Sequence, residues 1–182
     1  MESLGPYIEE AVVHEAGHIL IGKALGLPPR GLDVSVVILP NNQGIEIGDF
    51  ATLVWEVPDE EIPKLDPELK GSLELLISGG VAGQMFARIP FTGQGADDDR
   101  RQLARLTKTP IEHLAKIAQP MFNKRRRIFW QLVALIRQRY IELTSIRDIQ
   151  AGRHSLLSAE DIHRIFVANS TNSIRVTDDA AV

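Results

Sequence analysis

Three residues early in the chain have the types and spacing to do chemistry: His14, Glu15 and His18. They form an H-E-x-x-H pattern. On a helix the two histidines share one face, about 6 Å apart along the axis at 1.5 Å rise per residue. Two imidazoles so placed can hold one Zn²⁺. Glu15 follows the first histidine, and its carboxylate can reach a water on the open side of a metal and act as its general base. The pattern fixes only three of five positions and also arises by chance, as a pair of satisfied, partly buried histidines. The flanking residues favour the metal. Ile8, Val12, Ile19 and Leu20, with Ala11 and Ala16, make the stretch largely apolar, so it belongs to a core. Ionisable groups on a core helix need partners, because burying an unpaired charge is costly.

A catalytic zinc also needs a third protein ligand and an open fourth position. The chain has no cysteine, which excludes disulfides, thiolate ligation and a cysteine nucleophile. That leaves a carboxylate or another histidine. His113, His154 and His163 fall on amphipathic or loop segments and read as ordinary residues. The run Asp97-Asp98-Asp99 opens a segment that reads as a helix through Leu106. Aspartate suits a helix start as a cap and as a charge on the dipole. At most one is needed for capping, and with no cysteine and few other histidines a carboxylate is the expected third ligand.

The elements that must position these groups follow from pattern. A helix is expected from Pro6 to Leu25, with Pro6 in its first turn and Gly26, then Pro28-Pro29, stopping it. Gly17 inside it costs about 1 kcal/mol relative to Ala, and implies that another backbone crosses close to the site. Leu32, Val34, Val36 and Ile38 alternate with Asp33, Ser35 and Val37 as a strand. Pro40 to Gly44 is a turn cluster, and Ile45–Ile47 and Phe50–Trp55 extend a hairpin or small antiparallel sheet. Such a strand can bind a peptide by edge addition, or simply cover the core. Residues 57–65 read as an acidic, solvated connection. Asp66 caps a helix that starts at Pro67, with Leu69, Leu73, Leu76, Ile77, Val81 and Met85 on its apolar face. Within it, Ser78-Gly79-Gly80-Val81-Ala82-Gly83 makes a bare side for close packing against Gly17, or else a break. Phe91 to Gly95 is loop.

The last third reads as helical. Ile111, Leu114 and Ile117 share one face of a helix over 110–118, which Pro120 ends or kinks. Lys124-Arg125-Arg126-Arg127 opens a long helix carrying Ile128, Phe129, Leu132, Leu135, Ile136 and Tyr140. That basic run reads as a solvated face rather than a nucleic-acid or lipid contact. Ser158-Ala159-Glu160-Asp161 is an N-cap signature before Ile162, Ile165 and Phe166. Residues 169–182 are polar and aperiodic, as in a frayed tail. Three parts are expected: a core over 1–106, a helical extension over 107–168 packed on it, and the tail.

With 182 residues, 44% of them hydrophobic, the chain can bury a core without staples. A net charge of −4 makes no case for a nucleic-acid partner. No apolar run reaches membrane-span length, and the start lacks a signal-peptide pattern, so a cytoplasmic location is expected.

These motifs, in this order, resemble the peptidase domain of the FtsH-type ATP-dependent zinc metalloproteases (peptidase family M41). His14-Glu15-Ala16-Gly17-His18 matches that family's H-E-A-G-H. Ser78-Gly79-Gly80-Val81-Ala82 lies where the family has a G-G-x-x-A-E helix. Thr92-Gly93 and Gly95-Ala96-Asp97-Asp98-Asp99 are similar to its T-G-A-x-x-D, whose aspartate is the third zinc ligand. Counting from Gly95-Ala96 gives Asp99 that role, with Asp98 as second choice. The resemblance spans roughly residues 7 to 106. It implies a mainly α-helical, zincin-like α+β domain with a small β-hairpin or sheet and a C-terminal helical bundle. It further implies a zinc endopeptidase in which His14, His18 and Asp99 bind Zn²⁺ and Glu15 is the catalytic base. Two departures stand out. Gly83-Gln84 replaces the acidic residue of the G-G helix, which alters the support of a zinc histidine. No G-x-x-x-x-G-K-[ST] motif for an ATPase occurs. The substrates implied are peptides and unfolded or exposed protein segments, with a separate unfoldase or adaptor as a possible partner. The alternative is a weak or inactive relative that uses the cleft to bind a protein.

Overall fold

The computed structural model describes residues 5–27, 34–38, 45–47, 57–89, 96–147 and 149–174. They form α1 (Pro6–Ala24), β1 (Val34–Ile38), β2 (Ile45–Ile47), a 3₁₀ turn (Ile62–Lys64), α2 (Pro67–Ile77) and α3 (Gly79–Ala87). Next come α4 (Asp97–Leu106), α5 (Ile111–Lys124), α6 (Arg126–Thr144), β3 (Gly152–Leu157) and α7 (Ala159–Ile174). The protein is mainly helical with a small antiparallel sheet, as the sequence implied. None of the described helices is long and apolar enough to cross a membrane.

The middle of α1 is buried all round, from Val12 to Gly22. A helix whose middle has no exposed face belongs in the centre of a fold, and α1 packs against α3 on one side and α6 on another. Pro6 sits in its first turn, and Gly26, at φ +69°, turns the chain out of it.

The sheet order is β2-β1-β3, with both pairings antiparallel. Val36 stands opposite Ile47 on one side and His154 on the other, with an irregularity at Val34/Ser35. β3 has no counterpart among the expected strands. Its partner lies far back in the sequence, and no local pattern announces such a pairing. β3 also changes β1. Ser35, which alternation turns toward solvent, is 2% exposed and accepts a hydrogen bond from Arg153 Nε at 2.8 Å. With both flanks paired, β1 has no edge to offer a peptide. Among the described residues, the free edges belong to β2 and β3.

Asp66 caps α2 by accepting from the Glu68 and Leu69 N–H groups. The chain then breaks at Ser78, whose hydroxyl donates to the Leu75 carbonyl, and restarts as α3. Both sequence expectations for the glycine run therefore hold: it breaks the helix and it packs closely. The break also resets the helical phase, which explains why Met85 is exposed. Leu69, in the first turn of α2, overhangs the core and is exposed too. The stretch read as a solvated acidic connection is partly docked. Ile62 is buried, and Arg105 of α4 donates to Asp59 and to the Val57 carbonyl.

The buried face of α5 runs through Ile111, Ala115, Ala118 and Phe122, with Leu114 beside it; Ile117 falls outside and is 52% exposed. Pro120 does not end α5, because it removes only one main-chain N–H within a turn of the helix terminus. Phe86, Phe122, Phe129 and Trp130 stack edge-on and tilted where α3, α5 and α6 meet. At the start of α7, Ser158 and Asp161 cap each other reciprocally. α7 continues to Ile174, beyond the point where a frayed tail was expected. Leu32, the 40–44 turn, the 50–55 strand and the 91–95 loop lie outside the described residues, as does 175–182.

Candidate metal centre

His14 and His18 sit one turn apart on α1, 5% and 4% exposed. Their position is set by a seam in which two backbones touch. Glu10 faces Gln84, His14 faces Gly80 and Gly17 faces Gly79, so α1 and α3 run antiparallel. A Cβ on Gly17 would overlap the Gly79 carbonyl and come within 3.3 Å of Gly83 Cα. One on Gly79 would come within 3.0 Å of both the Gly17 carbonyl oxygen and His18 Cα. Gly80 is bare for a different reason: the Nδ1–Cε1–Nε2 edge of the His14 ring occupies the space of its missing side chain.

The break at Ser78 supplies the second constraint. Leu76 lies in the last turn of α2, where carbonyls lack a regular helical partner. Its oxygen is 2.8 Å from His18 Nδ1. A carbonyl only accepts, so Nδ1 carries the proton and Nε2 is left to bind.

The third group comes from α4. The N-cap position there is Ala96, and no side chain caps the helix, so capping explains none of the three aspartates. Asp97 pairs with Arg100 and Asp98 with Arg101, both at the surface. Asp99 is 6% exposed and turns inward. Its Oδ2 is 3.2 Å from His14 Nε2 and 3.3 Å from His18 Nε2, and the two Nε2 atoms are 3.0 Å apart. Of the two aspartates considered, Asp99 is the one that meets the histidines. Glu15, 7% exposed, completes a buried polar island in an apolar core.

Charge in this island is strongly coupled. Burial alone would lower the pKa of His18, yet the Asp99 carboxylate, with help from Glu15 and the Leu76 carbonyl, raises it to about 9. Burial likewise opposes ionisation of Asp99, but the adjacent His18 and His14 rings hold its carboxyl well below the usual range. Asp99 Oδ2, although close to both rings, is aligned with neither as a hydrogen bond. The two Nε2 atoms face each other at 3.0 Å, and Asp99 Oδ2 stands beside both without a hydrogen-bond partner among the described residues.

That arrangement fits a tetrahedral metal. Two ligand atoms each 2.0–2.1 Å from zinc at a tetrahedral angle stand about 3.3 Å apart. The observed edges of 3.0, 3.2 and 3.3 Å match that triangle. The donor set, two imidazoles and one carboxylate, suits zinc. His14, His18 and Asp99 also form the only such metal-capable group among the described residues. His113 and His163 are exposed and His154 lies on β3 beside the Gln150 carbonyl, so none of them joins it.

Sequence reasoning missed three supporting features: the Leu76 carbonyl, the ring-sized space at Gly80, and a buried pair in which Gln84 Nε2 donates to Glu10 Oε1 at 3.1 Å. The last had a signal, since Glu10 lies one turn before His14 on the same face.

No family model matches the chain, and neither a curated protein nor a solved structure matches it.

Proposed function

We propose that this chain is a zinc-dependent metalloendopeptidase of the H-E-x-x-H type, an FtsH-like peptidase domain acting on peptides and on unfolded or exposed protein segments. The observation that carries the reading is the buried His14–His18–Asp99 triangle, with edges sized for one tetrahedral zinc. Zinc held there supplies Lewis acidity, polarising a peptide carbonyl and making a water acidic near neutral pH. The chain's own groups do the rest. His14, His18 and Asp99 would hold the ion. Glu15 takes a proton from the attacking water and returns it to the departing amine nitrogen. The low exposure of these groups keeps their electrostatics strong.

The test combines metal analysis with cleavage of a labelled unfolded protein. Wild type should carry about one zinc per chain, His14→Ala should lose it, and Glu15→Gln should keep it while turnover falls about 100-fold or more. Undiminished cleavage by a clean Glu15→Gln preparation would sink the mechanism. Gln84 favours a second reading, a protein-binding domain of low activity, because it stands where the resemblance expects a carboxylate. Stoichiometric zinc with no cleavage by wild type would select that reading.

A further inference from the structure

The two histidines are supported unequally. His18 has its Nδ1 proton on the Leu76 carbonyl. His14 Nδ1 is buried with no hydrogen-bond partner among the described residues. A histidine that binds metal through Nε2 keeps its proton on Nδ1, and that proton normally goes to a carbonyl or a carboxylate. Left unmet in an apolar interior, it is costly.

One buried acceptor is placed to meet it. Gln84 is 1% exposed, and its Oε1 likewise has no partner. It lies one helical turn beyond Gly80, the residue under the His14 ring. Side chains lean toward the start of their own helix, so Gln84 leans back over Gly80. His14, on the antiparallel α1, leans the opposite way, toward the level of Gln84. The Glu10 carboxylate fixes which end of the amide is available. A carboxylate only accepts, so it draws the Gln84 NH₂ to itself, at 3.1 Å. The carbonyl end is thereby left for His14.

We propose that Glu10 and Gln84 are positioning residues for the metal: Glu10 orients the Gln84 amide, and Gln84 Oε1 accepts the Nδ1 proton of His14. This rests on the zinc reading above. The carboxylate that the G-G helix lacks is thus present one helix away, acting through an amide.

Zinc affinity, measured by chelator competition on the full chain, tests it, with a thermal melt of each metal-free variant to confirm folding. Gln84→Leu should weaken zinc binding about 10- to 100-fold, the usual effect of losing such a partner. Glu10→Gln, of nearly unchanged shape, should weaken it several-fold. The exchange Glu10→Gln/Gln84→Glu, which puts an accepting carboxylate directly at 84, should restore affinity to within about threefold of wild type. Gln102→Leu, which alters a buried amide on α4, should leave it unchanged. In ¹⁵N NMR of the zinc-loaded protein, the Nδ1–H signal of His14 should shift in Gln84→Leu while that of His18 stays. Wild-type affinity in Gln84→Leu, or an exchange variant as weak as Gln84→Leu, overturns the proposal and leaves the zinc reading intact. Absence of zinc from wild type overturns both. If Gln84→Leu does not fold, Glu10→Gln decides alone, and unchanged affinity there overturns the proposal.

Discussion

Two interfaces of α3 are built on opposite principles. Toward α1 it presents Gly79, Gly80 and Gly83, and the contact is backbone on backbone and backbone on imidazole. Toward α5 and α6 it presents Phe86, and the contact is aromatic: Phe86 with Phe122, Phe129 and Trp130 at centroid distances of 5.4, 5.3 and 6.4 Å. An aromatic cluster has several rotamers and much apolar area, so it stabilises strongly and tolerates adjustment. A backbone seam buries little but fixes the separation of two helices within a few tenths of an ångström. The metal triangle needs the second property. His14 rests on Gly80 and His18 reaches the Leu76 carbonyl across that seam, so both rings take their places from it, while Asp99 is brought by α4. Stability and precision are thus carried by different faces of one nine-residue helix.

If that division holds, the most damaging change is in the seam. Gly17→Ala puts a methyl into the Gly79 carbonyl; zinc binding should be lost outright and stability should fall by at least about 3 kcal/mol, readable by metal analysis and denaturant unfolding. Acid and base should also act on the buried triangle beside this face. In the metal-free protein, the raised His18 pKa adds stability that is complete below its unfolded value near 6.5 and disappears as pH rises through about 9. The depressed Asp99 adds stability that is present above its unfolded value of about 3.9 and disappears as pH falls through the lower folded one. The pair therefore contributes most between about pH 4 and 6.5. Zinc must displace the His18 proton, so its apparent affinity should rise about tenfold per pH unit up to about 9 and then flatten. A flat profile from pH 6.5 to 8.5 in chelator competition would mean that the triangle is not charged as described.

The aromatic face should answer differently. Phe122→Leu should cost about 1–2 kcal/mol, a fraction of a full truncation, and leave zinc affinity of the folded protein within a few-fold. A large loss of zinc would show that the two faces are not separable. The smallest effect is expected at the α2 cap, away from both. Asp66→Ala should cost about 1 kcal/mol in a thermal melt with zinc binding unchanged.

What could be read from the sequence was what spacing encodes. The helix over residues 6–25 and the caps at Asp66 and Ser158 follow from offsets of three or four along the chain, the pairing of Gly17 with the glycine run follows from their missing side chains, and the preference for Asp99 over Asp98 comes from the family resemblance. What could not be read depends on distant partners or on phase. β3 exists because β1 needs a second neighbour. Met85 and Ile117 are exposed because helix registers are set by the Ser78 break and by the Ala115–Ala118 face. The Leu76 carbonyl is main chain and leaves no residue-type signature, although it orients His18. The three residues that meet in the candidate site were legible; most of what orients them was not.

The pairing of β3 with β1 has a temporal side. Ser35 and Arg153, which meet across it, are 118 positions apart. At about 5–20 residues per second of synthesis, β1 waits roughly 6 to 24 s on the ribosome before its second partner emerges. Throughout that interval Val34, Val36 and Ile38 line a half-open sheet, an aggregation hazard that folded proteins suppress. α1 through α4 can dock in the meantime, because their contacts are closer in sequence. The half of the molecule that carries His14, His18 and Asp99 can therefore assemble before the strand that closes its sheet has been made.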